Sequence, residues 1–314
     1  GGPSTNRPNY NGGNLANKGN NGSTMTQIHN YFANGKDSSA IELANSNLVG
    51  LSDDAGTNGY GYYLSWGNMH IDFKNVSSNS DVSNYSRDLD LNTAIAGVNY
   101  DKGSTHYSRE NFTSYPDNVI VTHITADGSE KISLDVSVEP DNTSGGASNS
   151  IGENGYKRTW NTTVSGGRIS VNGQLTDNQM KFSSQTQVIT DNGGTVTDGD
   201  GTVSVSGASE VTIITSMGTD YKDEYPSYRT GETADELTNR VKWYVDQATV
   251  KTYEELKANH VNDYQNIFNR VDLDLGQTIS KKTTDALLSA YKAGTASEAE
   301  RRQLEVMLFQ YGRL

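Results

Sequence analysis

The spacing of apolar residues changes once along the chain, near residue 230. Before that point, short runs rich in Val, Ile, Thr and Tyr alternate apolar with polar residues, and clusters of Gly, Asn, Asp and Ser separate them. In Ile132–Val138 every second residue is apolar, which gives a strand one apolar face. Repeated half-buried strands without intervening helices predict an antiparallel β sandwich of two large sheets over residues 1–228.

Individual strands and turns of this region can be predicted from the same pattern. Two dipeptides of the kind found in two-residue hairpins, Asp127-Gly128 and Asn172-Gly173, predict tight turns. The first forty residues are rich in Asn and Gly, which predicts a long surface loop with one short helix at Thr24–Asn34; a lid over a substrate is the alternative. The clearest strand patterns are Val119–Thr125, Ile132–Val138, Gly167–Val171, Met180–Val188, Val203–Val205 and Val211–Thr215.

Residues 229–314 have apolar residues at helical spacing. Thr252 followed by Glu255 is the pattern of a capping box at a helix start. Further helices are predicted after Thr233, over Thr283–Tyr291 and over Ser297–Gln310. A helical stretch that follows a β domain indicates a linker into a second, helical domain, so we place the domain boundary between residues 228 and 229.

Composition excludes several classes of function. Twenty-five Lys and Arg against 38 Asp and Glu give a formal charge of −13, and without a basic cluster this argues against nucleic-acid binding. No apolar stretch approaches the ~18 residues of a membrane span. The chain has no cysteine, which rules out disulfides, thiolate zinc sites and a cysteine nucleophile.

The sequence gives only weak signals for a metal site or a catalytic pair of side chains. The histidines, at positions 29, 70, 106, 123 and 260, lack the spacing of zinc ligands. Asp198-Gly-Asp200 suggests calcium, but Thr202 stands where a third oxygen ligand is needed, so a hairpin turn is the preferred interpretation. Arg109 and Glu110 would point to opposite faces of a strand, so we expect two separate structural ion partners rather than a catalytic pair.

Aromatic residues offer a possible binding surface. Tyr60, Tyr62, Tyr63, Trp66, Tyr156 and Trp160 could stack on sugar rings, whose C–H faces pack on aromatic rings as other apolar groups do. Alternating aromatics on strands more often form the core and cross-strand pairs, and we favour that interpretation.

Several segments, in order and over nearly the whole chain, resemble the bacterial α-L-fucosidases of glycoside hydrolase family 95. Gly1-Gly2-Pro3 is similar to the end of that family's Leu-Trp-Ser/Thr-Gly-Gly-Pro motif. The other matching segments are Tyr85–Ala94, Val98–Tyr100, Tyr107–Asp117, Gly173–Asn178, Thr215–Tyr221, His260–Tyr264, Phe268–Gly276 and Phe309–Arg313.

This resemblance implies a super-β-sandwich, a helical linker, an (α/α)6 barrel and a C-terminal β domain. It implies cleavage of terminal α-1,2-linked fucose with inversion, by a Glu general acid and a water that an Asn, polarised by an Asp, activates. Those groups lie on the barrel, downstream of Leu314. We therefore expect no catalytic residue, metal or cofactor in this chain, leave its substrate-binding residues unassigned, and expect it to be inactive alone.

The resemblance also predicts partners and location. The substrates would be fucosylated oligosaccharides or glycoproteins bound by the full-length enzyme, with no nucleic acid and no membrane insertion. Strands that precede residue 1 and the catalytic barrel would be intramolecular partners, and the enzyme would be extracellular or on the surface of a bacterium. A stand-alone glycan-binding or adhesion module and an α-L-galactosidase of the same family remain alternatives.

Overall fold

A computed structural model describes residues 22–47, 65–74, 81–140, 158–175, 179–191, 193–224 and 227–314. The strands are β1 (Gly67–Phe73), β2 (Val82–Asp90), β3 (Ile95–Lys102), β4 (Thr105–Ser114), β5 (Val119–Asp127), β6 (Ile132–Pro140), β7 (Arg158–Ser165), β8 (Arg168–Leu175), β9 (Lys181–Thr190), β10 (Thr195–Asp198), β11 (Thr202–Ala208) and β12 (Glu210–Thr219). The helices are α1 (Ser23–Ala33), α2 (Asp37–Asn47), α3 (Ala234–Thr249), α4 (Tyr253–Phe268), α5 (Thr284–Lys292) and α6 (Glu298–Tyr311).

The described strands form two antiparallel sheets of unequal size. The large sheet has eight strands in the order β2-β3-β4-β5-β12-β9-β8-β7, and the small sheet has four in the order β1-β6-β11-β10. Apolar residues of both sheets, such as Leu134 and Val136 of β6 and Ile124 and Ile213 of the large sheet, form one buried cluster. This confirms the predicted antiparallel sandwich. We call the face of the large sheet toward this cluster its inner face.

A second core lies on the outer face of the large sheet. Phe112, Val121 and Ile214 of the sheet pack with Val245 of α3 and Leu256 of α4, and all five are buried. The large sheet is therefore covered on both faces over its central strands. The outer core attaches the first two C-terminal helices to the sandwich, because their apolar stripes have no other core among the described residues.

The six predicted strands agree with the structure, whereas the two hairpin turns predicted from Asp127-Gly128 and Asn172-Gly173 are wrong. The six strand patterns fall in β5, β6, β8, β9, β11 and β12. At Asp127-Gly128 the chain leaves β5 of the large sheet and enters β6 of the small sheet, so the turn joins two sheets instead of two paired strands. A Cβ on Gly128 would approach the backbone of Thr105 within 2.7 Å, so close packing requires the glycine there.

Asn172-Gly173 lies inside β8, where the sequence predicts a turn. A Cβ on Gly173 would lie 2.3 Å from the carbonyl oxygen of Thr159 and 2.6 Å from the ring of Phe182. The glycine is thus required by the close approach of neighbouring strands. The hairpin between β7 and β8 is made by Gly166 and Gly167, both at positive φ.

The N-terminal region is less purely β than predicted. The expected helix at Thr24–Asn34 is present as α1, but a second helix, α2, follows it at Asp37–Asn47. Residues 37–47 carry a weak apolar pattern with only Ala40 buried, which explains why periodicity did not reveal this helix. The proposed lid falls partly on residues 1–21, outside the described ranges.

The C-terminal helices begin as predicted. Thr252 accepts a hydrogen bond from the Glu255 amide, and the Glu255 side chain accepts one from the Thr252 amide. Capping boxes of the same kind start α3 at Thr233 and α6 at Ser297. Of the helices that the structure describes, none combines the length and the apolar character needed to cross a membrane. The position of the domain boundary stays a prediction.

Candidate functional site

The residues of the family-like motifs meet where α4 lies on the outer face of the large sheet. Glu110 of β4 accepts hydrogen bonds from the Tyr253 hydroxyl and, at 2.7 Å, from the Lys257 ammonium. The ring of His123, on β5 beside Glu110, stacks on Tyr253 with centroids 3.6 Å apart. The Nδ1 of His123 lies 3.0 Å from the hydroxyl of Thr212. A carboxylate, a phenol, an ammonium and an imidazole thus hold the first turns of α4 to the sheet.

The protonation states of this cluster follow from burial and contact. Burial by itself would raise the pKa of Glu110, but hydrogen bonds from Lys257 and Tyr253 outweigh it and leave the pKa below its ordinary value. Burial lowers the pKa of His123 to about 4, against the opposing charge of Glu110. Burial and the bond to Glu110 raise the pKa of Tyr253. At neutral pH the cluster therefore contains an ionised carboxylate and a neutral imidazole.

A second carboxylate, that of Asp117, also attaches the first turns of α4 to the sandwich. Asp117, in the turn between β4 and β5, is 7% exposed and pairs with Lys251 at the start of α4. It also accepts hydrogen bonds from the hydroxyl of Ser114 at 2.6 Å and the amide of Asn259 at 3.2 Å. Burial would raise the pKa of Asp117, but these bonds, with that of Lys251 first, lower it.

A row of stacked rings continues along α4 from the outer core. Phe112 stacks on His260 at 4.9 Å, His260 on Tyr264 at 6.2 Å, and Tyr264 on Phe268 at 4.9 Å. The Arg313 guanidinium lies 3.9 Å above the ring of Phe268 and donates to the Phe268 carbonyl at 2.7 Å. Arg313 therefore covers the C-terminal end of α4, where a cation is favoured.

The turn between β2 and β3 meets the same side of α4 through its backbone. The Nε2 of His260 donates to the Thr93 carbonyl at 2.8 Å, and the hydroxyl of Tyr264 donates to the Leu91 carbonyl at 2.7 Å. The structure thus brings together the segments Tyr85–Ala94, Tyr107–Asp117, His260–Tyr264 and Phe309–Arg313. Parts of these four segments therefore lie in one contact between the sandwich and the helices.

This arrangement suits structural attachment better than acid–base chemistry. Glu110 and Asp117 are each occupied by a lysine and by further donors, and both have pKa values below the ordinary carboxyl range. A general acid at neutral pH needs the opposite shift. Within the described ranges, no three His, Asp or Glu side chains are grouped so as to hold a metal ion.

Arg109 points to the inner face, opposite to Glu110, as the sequence predicts. It lines a cleft of about 520 Å³ between β1 and strands β2 to β4. The cleft is walled by Phe73, Val82, Tyr85, Val98, Tyr100, Tyr107, Ser108, Arg109 and Ile124. The Nε of Arg109 is buried without a hydrogen-bond partner, and no described carboxylate pairs with it. The ion partner expected for Glu110 is Lys257, whereas that expected for Arg109 is not found within the described ranges.

The aromatic residues considered for sugar stacking divide into two groups. Trp66 is 7% exposed and meets Phe182 edge-on in the inner core, and Trp160 packs against the same cluster. Both therefore belong to the core, as we favoured. Tyr60, Tyr62, Tyr63 and Tyr156 lie outside the described residues.

The remaining candidate ligands are dispersed or have other partners. His29 and His70 are exposed on α1 and β1, and His106 contacts Asp101 at 2.6 Å. The predicted turn after Asp198 is confirmed as the hairpin between β10 and β11. The Asp198 carboxylate accepts the amides of Gly166 and Gly167 at 2.7 and 2.8 Å, so it serves to join two turns.

Fold and contacts define a β-sandwich module with a helical connector attached to its larger sheet. The family model described as "Glycosyl hydrolase family 65, N-terminal domain" matches residues 1–224. The model described as "Glycosyl hydrolase family 95 catalytic domain" matches residues 252–314. The chain belongs to the family of glycosyl hydrolase N-terminal domains that the first model describes, and the family 95 resemblance is confirmed by the second.

Curated relatives are fucosidases of plants and fungi. The chain is 29% identical over 258 residues to "Alpha-L-fucosidase 2" of Arabidopsis thaliana, and this alignment covers 79% of this chain and 30% of the relative. It is 30% identical over 273 residues to "Probable alpha-fucosidase A" of Aspergillus niger, and this alignment covers 81% of this chain and 30% of the relative. The chain thus spans about a third of the length of these relatives.

A comparison with solved structures adds a distant match. A bacterial glucoamylase complexed with acarbose aligns with a TM-score of 0.37 and 11% identity, over 67% of this chain and 33% of that one.

Proposed function

We propose that this chain is the N-terminal sandwich and helical linker of an inverting α-1,2-L-fucosidase. The observation that carries the proposal is the order of the two family matches, because a match to a glycosyl hydrolase N-terminal domain is followed from residue 252 by a match to the family 95 catalytic domain. The names of the plant and fungal relatives support α-fucosidase activity for the whole protein. Terminal fucose on oligosaccharides or glycoproteins is the proposed substrate.

Within such an enzyme, the role of this chain is to hold the catalytic barrel. The segment that matches the catalytic domain begins with α4, which Glu110 and Asp117 fasten to the large sheet. The catalytic acid and the water-activating residues would lie beyond Leu314, so the chain itself would not hydrolyse glycosides. The barrel and strands preceding residue 1 are the proposed intramolecular partners, and a bacterial cell surface or the extracellular space is the proposed location.

The glycan-binding module is the weaker alternative for this chain. Its platform would have to be exposed aromatic rings, yet Trp66 and Trp160 pack in the inner core. A binding module also has no need of a catalytic-domain segment after its sandwich.

The test is the reaction of the full-length parent enzyme with 2′-fucosyllactose, followed by proton NMR. Inversion predicts that β-L-fucose forms first and then mutarotates. An equivalent α-L-galactoside, which differs by the C6 hydroxyl, is the control for sugar specificity. Initial release of α-L-fucose would contradict the inverting mechanism, and preferred cleavage of the galactoside would contradict the substrate.

A further inference from the structure

The cleft that Arg109 lines is large enough to enclose a small molecule. Its volume of about 520 Å³ is typical of sites that bind small ligands in proteins. Tyr107 and Ile124, which line it from the large sheet, are buried, whereas Tyr85 is 60% exposed. A buried floor with an accessible margin gives a ligand both a path of entry and apolar surface to cover.

The walls of the cleft are mainly aromatic and aliphatic. The rings of Tyr100 and Tyr107 are stacked, with centroids 5.1 Å apart and 9° between their planes. Phe73 adds a third ring, and Val82 and Val98 contribute aliphatic surface. Flat aromatic groups pack on such walls by offset stacking or edge-to-face contact. A sugar would bury several hydroxyl groups against carbon atoms and lose their hydrogen bonds to water, so an aromatic ring fits these walls better.

Arg109 gives the cleft a position for an anion. Of the described residues that line the cleft, only Arg109 carries a charge, and its Nε is buried without a hydrogen-bond partner. An unpaired charged donor in apolar surroundings is costly unless an acceptor reaches it. The Nε and one Nη of a guanidinium form a fork that matches the two oxygens of a carboxylate. The guanidinium is therefore complementary to a carboxylate bound in the cleft.

The surroundings of Arg109 also favour an anion. The cross-strand register places Arg87 opposite Val98 and Val98 opposite Arg109, so both arginines project from the inner face on either side of Val98. Within the described ranges neither arginine has a carboxylate partner. Glu130, which accepts a hydrogen bond from a tyrosine of the wall, pairs with Lys102 at 2.9 Å, so its charge is compensated.

We propose that the cleft is a binding site for a small aromatic carboxylate. The ring of the ligand packs against Phe73 and the stacked pair Tyr100 and Tyr107, and its carboxylate accepts hydrogen bonds from the Nε and an Nη of Arg109. The proposal does not depend on the fucosidase assignment, because every group that it uses belongs to the described sandwich.

The experiment is isothermal titration calorimetry of the chain 1–314 with trans-cinnamate and, separately, with cinnamamide, which has the same ring and no charge. We expect a dissociation constant of about 0.1–1 mM for the acid, because the ligand has few non-hydrogen atoms. The amide should bind at least about tenfold more weakly, since it cannot form the charged hydrogen-bonded pair. Absence of cinnamate binding up to about 10 mM, or equal binding of acid and amide, would overturn the proposal.

Glucuronate, a carboxylate on a sugar ring, tests the aromatic character of the ligand. We expect it to bind more weakly than cinnamate, because its hydroxyl groups lose water against the apolar walls. Tighter binding of glucuronate than of cinnamate would overturn the aromatic class of ligand.

Two substitutions separate the contribution of the charge from that of the rings. Arg109→Met should abolish the preference for acid over amide, whereas Tyr85→Ala should weaken both ligands by a similar factor and keep the preference. Arg301→Met, on the exposed side of α6, is the matched control and should leave both dissociation constants unchanged. An undiminished preference in folded Arg109→Met would overturn the role of Arg109. The comparison of acid and amide in the unchanged chain tests the proposal even if a variant fails to fold.

The same titration of the full-length parent tests whether the cleft is open in the whole protein. We expect dissociation constants within about threefold of those of the chain 1–314. A parent that does not bind cinnamate, although the chain does, would show that another part of the polypeptide occupies the cleft and would overturn the site.

Discussion

Arg109 and Glu110 are adjacent in the chain but belong to different parts of the molecule. Glu110 reaches the outer face and binds Tyr253 and Lys257 of α4, while Arg109 faces the cleft on the inner face. Successive side chains of a strand point to opposite faces of the sheet, so these two residues contact different parts of the molecule. Glu110 attaches the helical linker, whereas Arg109 lines the cleft on the inner side of the sandwich.

Glu110 is expected to contribute stability rather than catalysis. Glu110→Gln weakens the bonds to Tyr253 and leaves Lys257 without its carboxylate, and since both charged side chains are 32% exposed we expect a loss of about 1–2 kcal/mol. Urea unfolding of the chain measures this loss, with Glu305→Gln on the exposed side of α6 as the control. In the parent enzyme turnover should persist. A 10²–10⁴-fold fall in turnover with unchanged melting would make Glu110 an acid–base residue instead.

His123 should make the stability of the chain depend on pH. Its pKa is about 4 in the fold and 6.5 ordinarily, so between these values the unfolded chain binds a proton that the folded chain does not. Stability therefore falls as the pH falls through this window, by at most about 1.4 kcal/mol per pH unit. His123→Gln should remove about 1.6 kcal/mol of the difference in unfolding free energy between pH 6.5 and pH 5.

The measurement is the free energy of unfolding in urea at the two pH values. His29→Gln, at an exposed position on α1, should leave the difference as it is in the unchanged chain. An equally steep dependence in His123→Gln would show that other groups carry the effect.

At the scale of elements, six strands could be predicted from their own residues, and so could the turn after Asp198, whereas the two hairpin turns predicted from dipeptides were wrong. In a strand such as β6, apolar and polar residues alternate, so the strand can be predicted from its own residues without knowledge of its neighbours. Gly173 is explained only by Thr159 and Phe182 on neighbouring strands, which no local pattern reveals. The same holds for Gly128, whose neighbour Thr105 is on β4.

Gly173 gives a sharp test of that explanation. A Cβ there would lie 2.3 Å from the Thr159 carbonyl and 2.8 Å from the Cβ of Trp160, so backbone must move. We expect Gly173→Ala to cost about 3 kcal/mol, at the upper end for overpacking. Gly193→Ala, where the nearest atom is 3.5 Å away, is the control and should stay within about 0.5 kcal/mol. Similar unfolding midpoints for both variants in urea would refute the close approach.

The start of α4 offers a second test at this scale. Thr252 closes a capping box, whereas Thr283 at the start of α5 makes no cap hydrogen bond to the helix backbone. Thr252→Ala should therefore cost about 1 kcal/mol, and Thr283→Ala clearly less. Thermal unfolding of the two variants compares them directly. Equal losses would mean that the capping box adds nothing to the attachment of α4.

At the scale of the whole molecule, the residue pairs that join the sandwich to the linker could not be predicted from the sequence. The motifs resembling the family could be found, but that His260 would meet Thr93 or that Asp117 would meet Lys251 depends on the docking of α4. Such contacts join residues more than a hundred positions apart, and neither helical nor strand periodicity carries that information.

We propose that this chain supports a fucosidase without containing its catalytic groups. Hydrolysis with inversion needs a general acid and an activated water on opposite sides of the bond, and Glu110 and Asp117 are both ionised and occupied by lysines. The most direct measurement is fucose release from 2′-fucosyllactose by the purified chain 1–314 beside the full-length parent. We expect background hydrolysis by the chain and turnover by the parent. Release that rises in proportion to the concentration of the chain, and survives repurification, would contradict it.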